Sequence, residues 1–320
     1  MGGVAWSGTA FGIDLTGDFA APGIDVSRAG GRPGRSTRLR LADASAMEHA
    51  FPLADARTLY EHDLAGTRYS IHQHDEHGFL LCNDFYGRYR VTASGSEVDC
   101  APRDLPDWLW QRFLVGQVLP LAALLQGLEV MHASSVAIDG QALLFLGSSG
   151  AGKTSVALQL AGRGATLLSD DVTAIEIDGG SVLAHPGASL SSIDADVVAG
   201  LPGAASRRRV LGVSEGEARL LVEGVGEQPY PVAAVYVLTR SADARRLSFE
   251  TLDVDPAVVL LGGTFNAYHR DSERLLTQLE ACAALAETTT LRRVEIPSSV
   301  DAATVAGAIA ESFRSEAAVA

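Results

Sequence analysis

Residues 147–154, reading Gly-Ser-Ser-Gly-Ala-Gly-Lys-Thr, limit what this 320-residue chain can become more than any other part of it. They fit the pattern G-x-x-x-x-G-K-[ST]. The neighbours are right as well: the apolar run Leu143-Leu144-Phe145-Leu146 stands before them and a helical pattern over 154–161 follows. Such a stretch is a phosphate-binding loop that joins a buried strand to a helix. Glycines at 147, 150 and 152 let backbone N–H groups approach an anion closely, with Ser148, Ser149 and Ala151 completing the cradle. The helix aims the positive end of its dipole at the same charge. Lys153 is placed to reach the β- and γ-phosphates of ATP, and Thr154 to ligate Mg²⁺. Lys153 is also the only lysine in the chain, so its place in the motif is no by-product of a lysine-rich composition.

The next strand pattern, Ala165 to Ser169, ends in Asp170-Asp171. A carboxylate at a strand end beside a phosphate loop can hold Mg²⁺, and a second can take the proton of an attacking hydroxyl. Adjacent residues on a regular strand face opposite ways, so a site that uses both acids needs the chain to turn there. The alternative is a solvated acidic pair at a strand end.

Around this centre the chain divides into three parts. Residues 1–106 read as a β-rich N-terminal domain, with strand patterns at Tyr69–His72, Gly78–Cys82 and Tyr89–Thr92 and a Gly/Pro/Arg loop from Gly23 to Arg40. His72, His74 and His77 could ligate zinc, but alternate side chains of a hairpin face opposite ways, which favours a solvated polar turn. Residues 107–131 read as a connecting helical segment, bent or broken near Pro120, with Trp108 and Trp110 packing between domains. Residues 132–320 read as an α/β nucleotide-binding domain. It holds hairpins at Asp139-Gly140 and Asp178-Gly179-Gly180, a buried strand at Val232–Leu238, helices over 256–262, 272–287 and 301–312, and a strand at Leu291–Ile296. Within it, 187–229 with Arg207-Arg208-Arg209 reads either as a mobile surface segment or as a loop that binds acceptor or phosphate.

A net charge of −14 argues against nucleic acid or an anionic membrane as partner. Cys82, Cys100 and Cys282 are few, odd in number and far apart, as in a reducing cytoplasm. The N-terminus lacks the basic and apolar regions of a signal peptide, and the most apolar run, Phe113 to Leu128, is interrupted by Gln117, Pro120 and Gln126 and too short to span a bilayer. A cytoplasmic protein is expected, with self-association left open.

The run from His132 to Asp171 resembles the catalytic domain of HPr kinase/phosphorylase. The shared features are His-x-Ser before the strand, the Gly-x-Ser-Gly-x-Gly-Lys-[Ser/Thr] loop, Arg-Gly closing the helix and Asp-Asp at the next strand end. The resemblance implies a P-loop kinase domain of the HPr-kinase/phosphoenolpyruvate-carboxykinase type with a mixed sheet. It further implies Asp171 as general base, Asp170 in the metal site and His132 near the transferred phosphate. That family follows its aspartates with Glu-x-Arg-Gly-x-Gly, where this chain has Ala184-His185-Pro186-Gly187-Ala188-Ser189. The expectation is therefore an ATP- and Mg²⁺-dependent kinase acting on a hydroxyl, serine foremost, of a protein or peptide other than HPr. The competing expectation is a nucleotide-dependent switch without a dedicated acceptor. Asp171 favours the kinase, since a switch has no use for a second acid.

Overall fold

The computed structural model describes residues 6–24, 34–64, 66–201, 208–224, 226–252, 255–265, 268–269 and 271–317. Arg207 and residues 25–33 of the Gly/Pro/Arg stretch lie outside them. The described architecture is mixed α/β.

The N-terminal part is one eight-stranded sheet. Its strands are β1 (Trp6–Ala10), β2 (Ile13–Gly17), β3 (Ser36–Leu41), β4 (Arg57–Leu64), β5 (Thr67–His74), β6 (Gly78–Asn83), β7 (Gly87–Val91) and β8 (Glu97–Pro102), in the order β1-β2-β3-β8-β7-β6-β5-β4. The end of the expected loop from Gly23 to Arg40 is thus the strand β3, where alternate residues Thr37 and Leu39 are buried. In β7 the same alternation puts Tyr89 and Val91 inside and Arg88 and Arg90 outside. A short helix α1 (Ala44–Ala50), capped by the Asp43 carboxylate on the Ala46 N–H, covers the β6 and β8 residues Leu80 and Ala101.

Helix α2 (Asp107–Phe113) continues through a π-helical segment, Leu114–Val118, into α3 (Leu119–Leu125). The Leu119 N–H bonds the Leu114 carbonyl, five residues back. Pro120 follows, and its ring would crowd the carbonyl four residues before it in an α-helix, so the wider turn accommodates it. The expected bend at Pro120 takes this form. The continuous helix, Asp107–Leu125, has 19 residues and a mean hydropathy of 1.2, enough by length and composition to cross a membrane. What argues otherwise is burial rather than shortness: 72% of that window lies inside the protein. Its Trp110 meets Phe19 edge-on at 5.3 Å, and its Trp108 lies over Gly212, where an added Cβ would come within 2.3 Å of the indole.

Residues 129–131, expected to belong to the connector, form strand β9 (Glu129–Met131) of a nine-stranded central sheet. The others are β10 (Ser134–Ile138), β11 (Gln141–Leu146), β12 (Thr166–Ser169), β13 (Thr173–Asp178), β14 (Ser181–His185), β18 (Tyr230–Ser241), β19 (Ser248–Thr251) and β20 (Thr290–Pro297). Pairing is mixed, parallel for β11 with β18 and for β18 with β20, and antiparallel elsewhere. The first hairpin turns at Asp139 and Gly140, both with positive φ. Strand β11 is buried on both faces. Leu143 and Phe145 pack beneath helices α4 (Lys153–Ala161) and α7 (Ala302–Ala317), while Leu144 and Leu146 meet α5 (Pro256–Leu261) and α6 (Ser272–Thr288). Side chains of this size contribute about 1.5–3 kcal/mol each on full burial, which anchors the strand that leads into the loop 147–152.

The stretch 187–229, unreadable in the sequence, forms a third sheet of β15 (Leu190–Asp194), β16 (Arg208–Ser214) and β17 (Glu217–Val222), ordered β15-β17-β16. One hydrophobic cluster runs from the N-terminal sheet through α2 and α3 to Val130, Val172, Ala174, Ala188 and Leu190.

Candidate functional site

The loop 147–152 leaves β11 and enters α4 through three glycines with φ of 144°, 79° and 100° at positions 147, 150 and 152. At Gly147 the backbone runs so close to β18 that a Cβ would stand 2.5 Å from the Leu238 carbonyl. Helix α4 has Gly152 at its N-cap and no side-chain cap, so its first N–H groups are left to face the cavity. By contrast α5 and α6 are capped by Asp255 and Asp271.

Strand β12 ends at Ser169, and the turn that two adjacent acids require is present: Asp171 has φ of +68°. The two carboxylates go to different places. Asp170 Oδ1 accepts hydrogen bonds from Ser134 Oγ at 2.6 Å and Thr154 Oγ1 at 2.8 Å. Burial pushes the Asp170 carboxyl up, the neighbouring Asp171 charge adds to this, and the two hydroxyls oppose it. Asp171, with 59% of its side chain exposed, faces the cavity and lies 3.5 Å from His132 Nδ1.

The residues present fit a hard cation. Neighbouring ligands on octahedral Mg²⁺, each about 2.0–2.1 Å from the ion, stand about 2.9 Å apart. Thr154 Oγ1 and Asp170 Oδ1 are 2.8 Å apart, so both could be ligands of one ion.

Lys153 is buried, 8% exposed, and its ammonium donates to the Gly147 carbonyl at 2.8 Å and meets His132 Nε2 at 3.2 Å. A donating ammonium makes Nε2 the acceptor and leaves the ring proton on Nδ1, the nitrogen that faces Asp171. Burial pushes the Lys153 pKa down, against the pull of Asp171 and Asp170. His132 is held by its own N–H to the Gly263 carbonyl at 2.7 Å and by stacking on Phe265.

These groups open onto a cavity of about 580 Å³. Its floor is the loop and the two aspartates. The rest of its wall comes from other parts of the chain: Phe11 of the β1–β2 turn, Tyr69 of β5, Tyr86, Phe113 and the π-helical Gly116 and Gln117 of the long helix, and Arg219 of β17. Sequence reading missed that wall. For Arg219 a signal existed, since Glu217–Val222 alternates, with Ala218, Leu220 and Val222 buried. Nothing local links Tyr69, Tyr86 or Phe113 to a loop at residue 147.

The remaining candidates lie elsewhere. His72 is buried, not solvated, with Nδ1 at 3.0 Å from Thr58 Oγ1 and Nε2 at 2.9 Å from Ser70 Oγ. His74 and His77 are ring neighbours at 4.5 Å. Among the described residues no three His, Cys, Asp or Glu side chains gather as a metal cluster. Arg208 and Arg209 sit on β16.

No protein-family model matches the chain, and no curated protein matches it. Among solved structures, the HPr(Ser) kinase/phosphatase from Coxiella burnetii resembles it distantly, with 14% identity and a TM-score of 0.31, covering 59% of this chain and 97% of that one.

Proposed function

We propose that the chain is a phosphotransferase that moves the γ-phosphoryl group of Mg-ATP to a hydroxyl, serine foremost, of a peptide or protein. One observation carries the reading: the left-handed backbone at Asp171 parts two adjacent acids, so that Asp170 sits with Thr154 while Asp171 stands exposed in the cavity beside His132. A protein that only bound nucleotide would need the first arrangement and not the second.

In this reading the loop N–H groups and the uncapped start of α4 bind the phosphates. Mg²⁺, when bound at Thr154 and Asp170, supplies charge neutralisation on the β- and γ-phosphates. Lys153 adds its ammonium to the same end of the nucleotide. Asp171 accepts the acceptor's hydroxyl proton as the new O–P bond forms and the bond from the γ-phosphorus to the β–γ bridging oxygen breaks, with ADP as leaving group. His132 Nδ1, 3.5 Å from Asp171 and without a hydrogen-bond partner among the described residues, faces the carboxylate and can donate to it once the site closes on its ligands. The large, aromatic-walled cavity leaves room for an acceptor side chain next to the phosphates.

The test incubates the full chain with γ-labelled ATP, Mg²⁺, and serine-containing peptides and proteins, purified HPr among them. Transfer to a peptide or protein other than HPr is expected, because the Glu-x-Arg-Gly-x-Gly stretch is absent at 184–189. A chain that binds no Mg-ATP at all overturns the proposal, and binding without transfer to any acceptor favours the nucleotide switch.

A further inference from the structure

We infer that Arg219, which lines the same cavity as the loop, grips the γ-phosphate of the bound nucleotide. The inference rests on the phosphotransferase reading and adds a residue to its site.

The alternation of β17 sends Ala218, Leu220 and Val222 into the core and leaves Glu217 and Arg219 on the cavity side. Arg219 is near enough to Asp170 and Asp171 for both to stabilise its charge, and near enough to Arg112 to be repelled by it. Arg112 is already paired with the Glu217 carboxylate. Arg219 has no such carboxylate partner: its one side-chain hydrogen bond among the described residues runs from Nη1 to Ser192 Oγ, at 2.8 Å. Its Nε is buried with no hydrogen-bond partner among the described residues. Burial lowers its pKa to about 10, which leaves it charged at neutral pH.

A desolvated guanidinium with an open donor is costly unless an anion completes it, and the planar fork of arginine suits two oxygens of one phosphoryl group. The acids cannot be that anion in the working site, since one is assigned to the cation and the other to the acceptor proton. The loop, Lys153 and Arg219 line the same cavity, and Arg219 reaches it from a different sheet. This placement selects for the group that distinguishes ATP from ADP.

The experiment is calorimetry of Mg-ATP and Mg-ADP binding to the full chain and to Arg219→Met and Arg219→Lys, each checked by thermal melting. Loss of charge-assisted hydrogen bonds to the γ-phosphate should weaken Mg-ATP by about 10- to 100-fold in Arg219→Met while leaving Mg-ADP within about twofold. Arg219→Lys keeps a point charge and should fall between the two. If Arg219→Met does not fold, the lysine variant carries the test, and an unchanged ATP-to-ADP ratio overturns the inference. Equal weakening of both nucleotides also overturns it. A parent protein that binds both nucleotides, with variants that do the same, removes Arg219 alone; a parent that binds neither removes the phosphotransferase reading as well.

Discussion

Nδ1 of His132 stands 3.5 Å from Oδ1 of Asp171, and the other ring nitrogen stands 3.2 Å from Lys153 Nζ. The imidazole thus stands between an ammonium and a carboxylate, which the proposed reaction assigns to the nucleotide and to the acceptor. Asp171→Asn keeps the size of the side chain and removes the base, so Mg-ATP affinity should hold within about twofold while transfer falls by about 10²–10⁴. His132→Asn should cost less, about tenfold, and the double variant should be no slower than Asp171→Asn, because residues acting as a unit are not additive. Full transfer by Asp171→Asn would remove the base assignment.

Asp170→Asn should separate stability from function. Its folded-state pKa is raised, so in the window between the unfolded and folded values the native state binds more protons than the unfolded chain, and stability falls as pH rises. The neutral amide removes that cost. Thermal melting at neutral pH should therefore show a higher Tm for Asp170→Asn than for the parent, with the gap narrowing as pH falls through the carboxyl range. In the same variant, Mg²⁺ should no longer strengthen nucleotide binding.

Lys153 has its pKa pushed down by burial, so the free protein should lose that charge at a lower pH than an ordinary lysine does. Mg-ATP affinity should fall on the alkaline side, beginning below the usual lysine range near 10.4. Lys153→Arg should bind at least about tenfold more weakly at pH 7, since the planar group does not fit where Lys153 is only 8% exposed, and its affinity should fall less steeply across that limb, where Arg219 is left to titrate. An alkaline limb identical in both proteins would assign the titration to another group.

Two glycines of the loop should respond differently to alanine. At Gly147 a Cβ meets the Leu238 carbonyl at 2.5 Å and φ is 144°, so the backbone must move; nucleotide binding should fall by at least about tenfold and Tm should drop. At Gly150 nothing lies within 4 Å, and only the strain of a positive φ remains, at roughly 1 kcal/mol. Melting curves and ATP titrations of the two variants decide this, and equal effects would mean that the close approach to β18 does not set the loop's shape.

The loop, the paired acids and most elements beyond residue 132 were legible because their causes are local. A buried strand, glycines, a helix pattern and hairpin turns such as Asp139-Gly140 follow each other in sequence. The turn at Asp171 was derivable only as a need; its left-handed φ accompanies contacts that Ser134 of β10, distant in sequence, makes with Asp170 Oδ1 and the Asp171 N–H. The sheet of β15, β16 and β17 escaped notice because β15 and β16 carry weak apolar periodicity, and only β17 alternates cleanly. His72 looked solvated because Thr58, which meets its Nδ1, becomes a neighbour only when β4 and β5 pair, while Ser70, two residues back on β5, shows no burial by itself.

The π-helical stretch Leu114–Val118 sits where a gene designer would be inclined to cut, between the N-terminal sheet and the half built on the nine-stranded sheet. Yet Gly116 and Gln117 of that stretch form part of the cavity wall, as do Phe11 and Tyr69 from further upstream. A fragment beginning at residue 132 would keep every residue of the loop motif and still be a cup with one side missing, its Val172, Ala174 and Leu190 stripped of the helix that covers them. The cavity therefore needs the span from β1 to α7, and joining the half beyond residue 132 to another front end would require the long helix to travel with it.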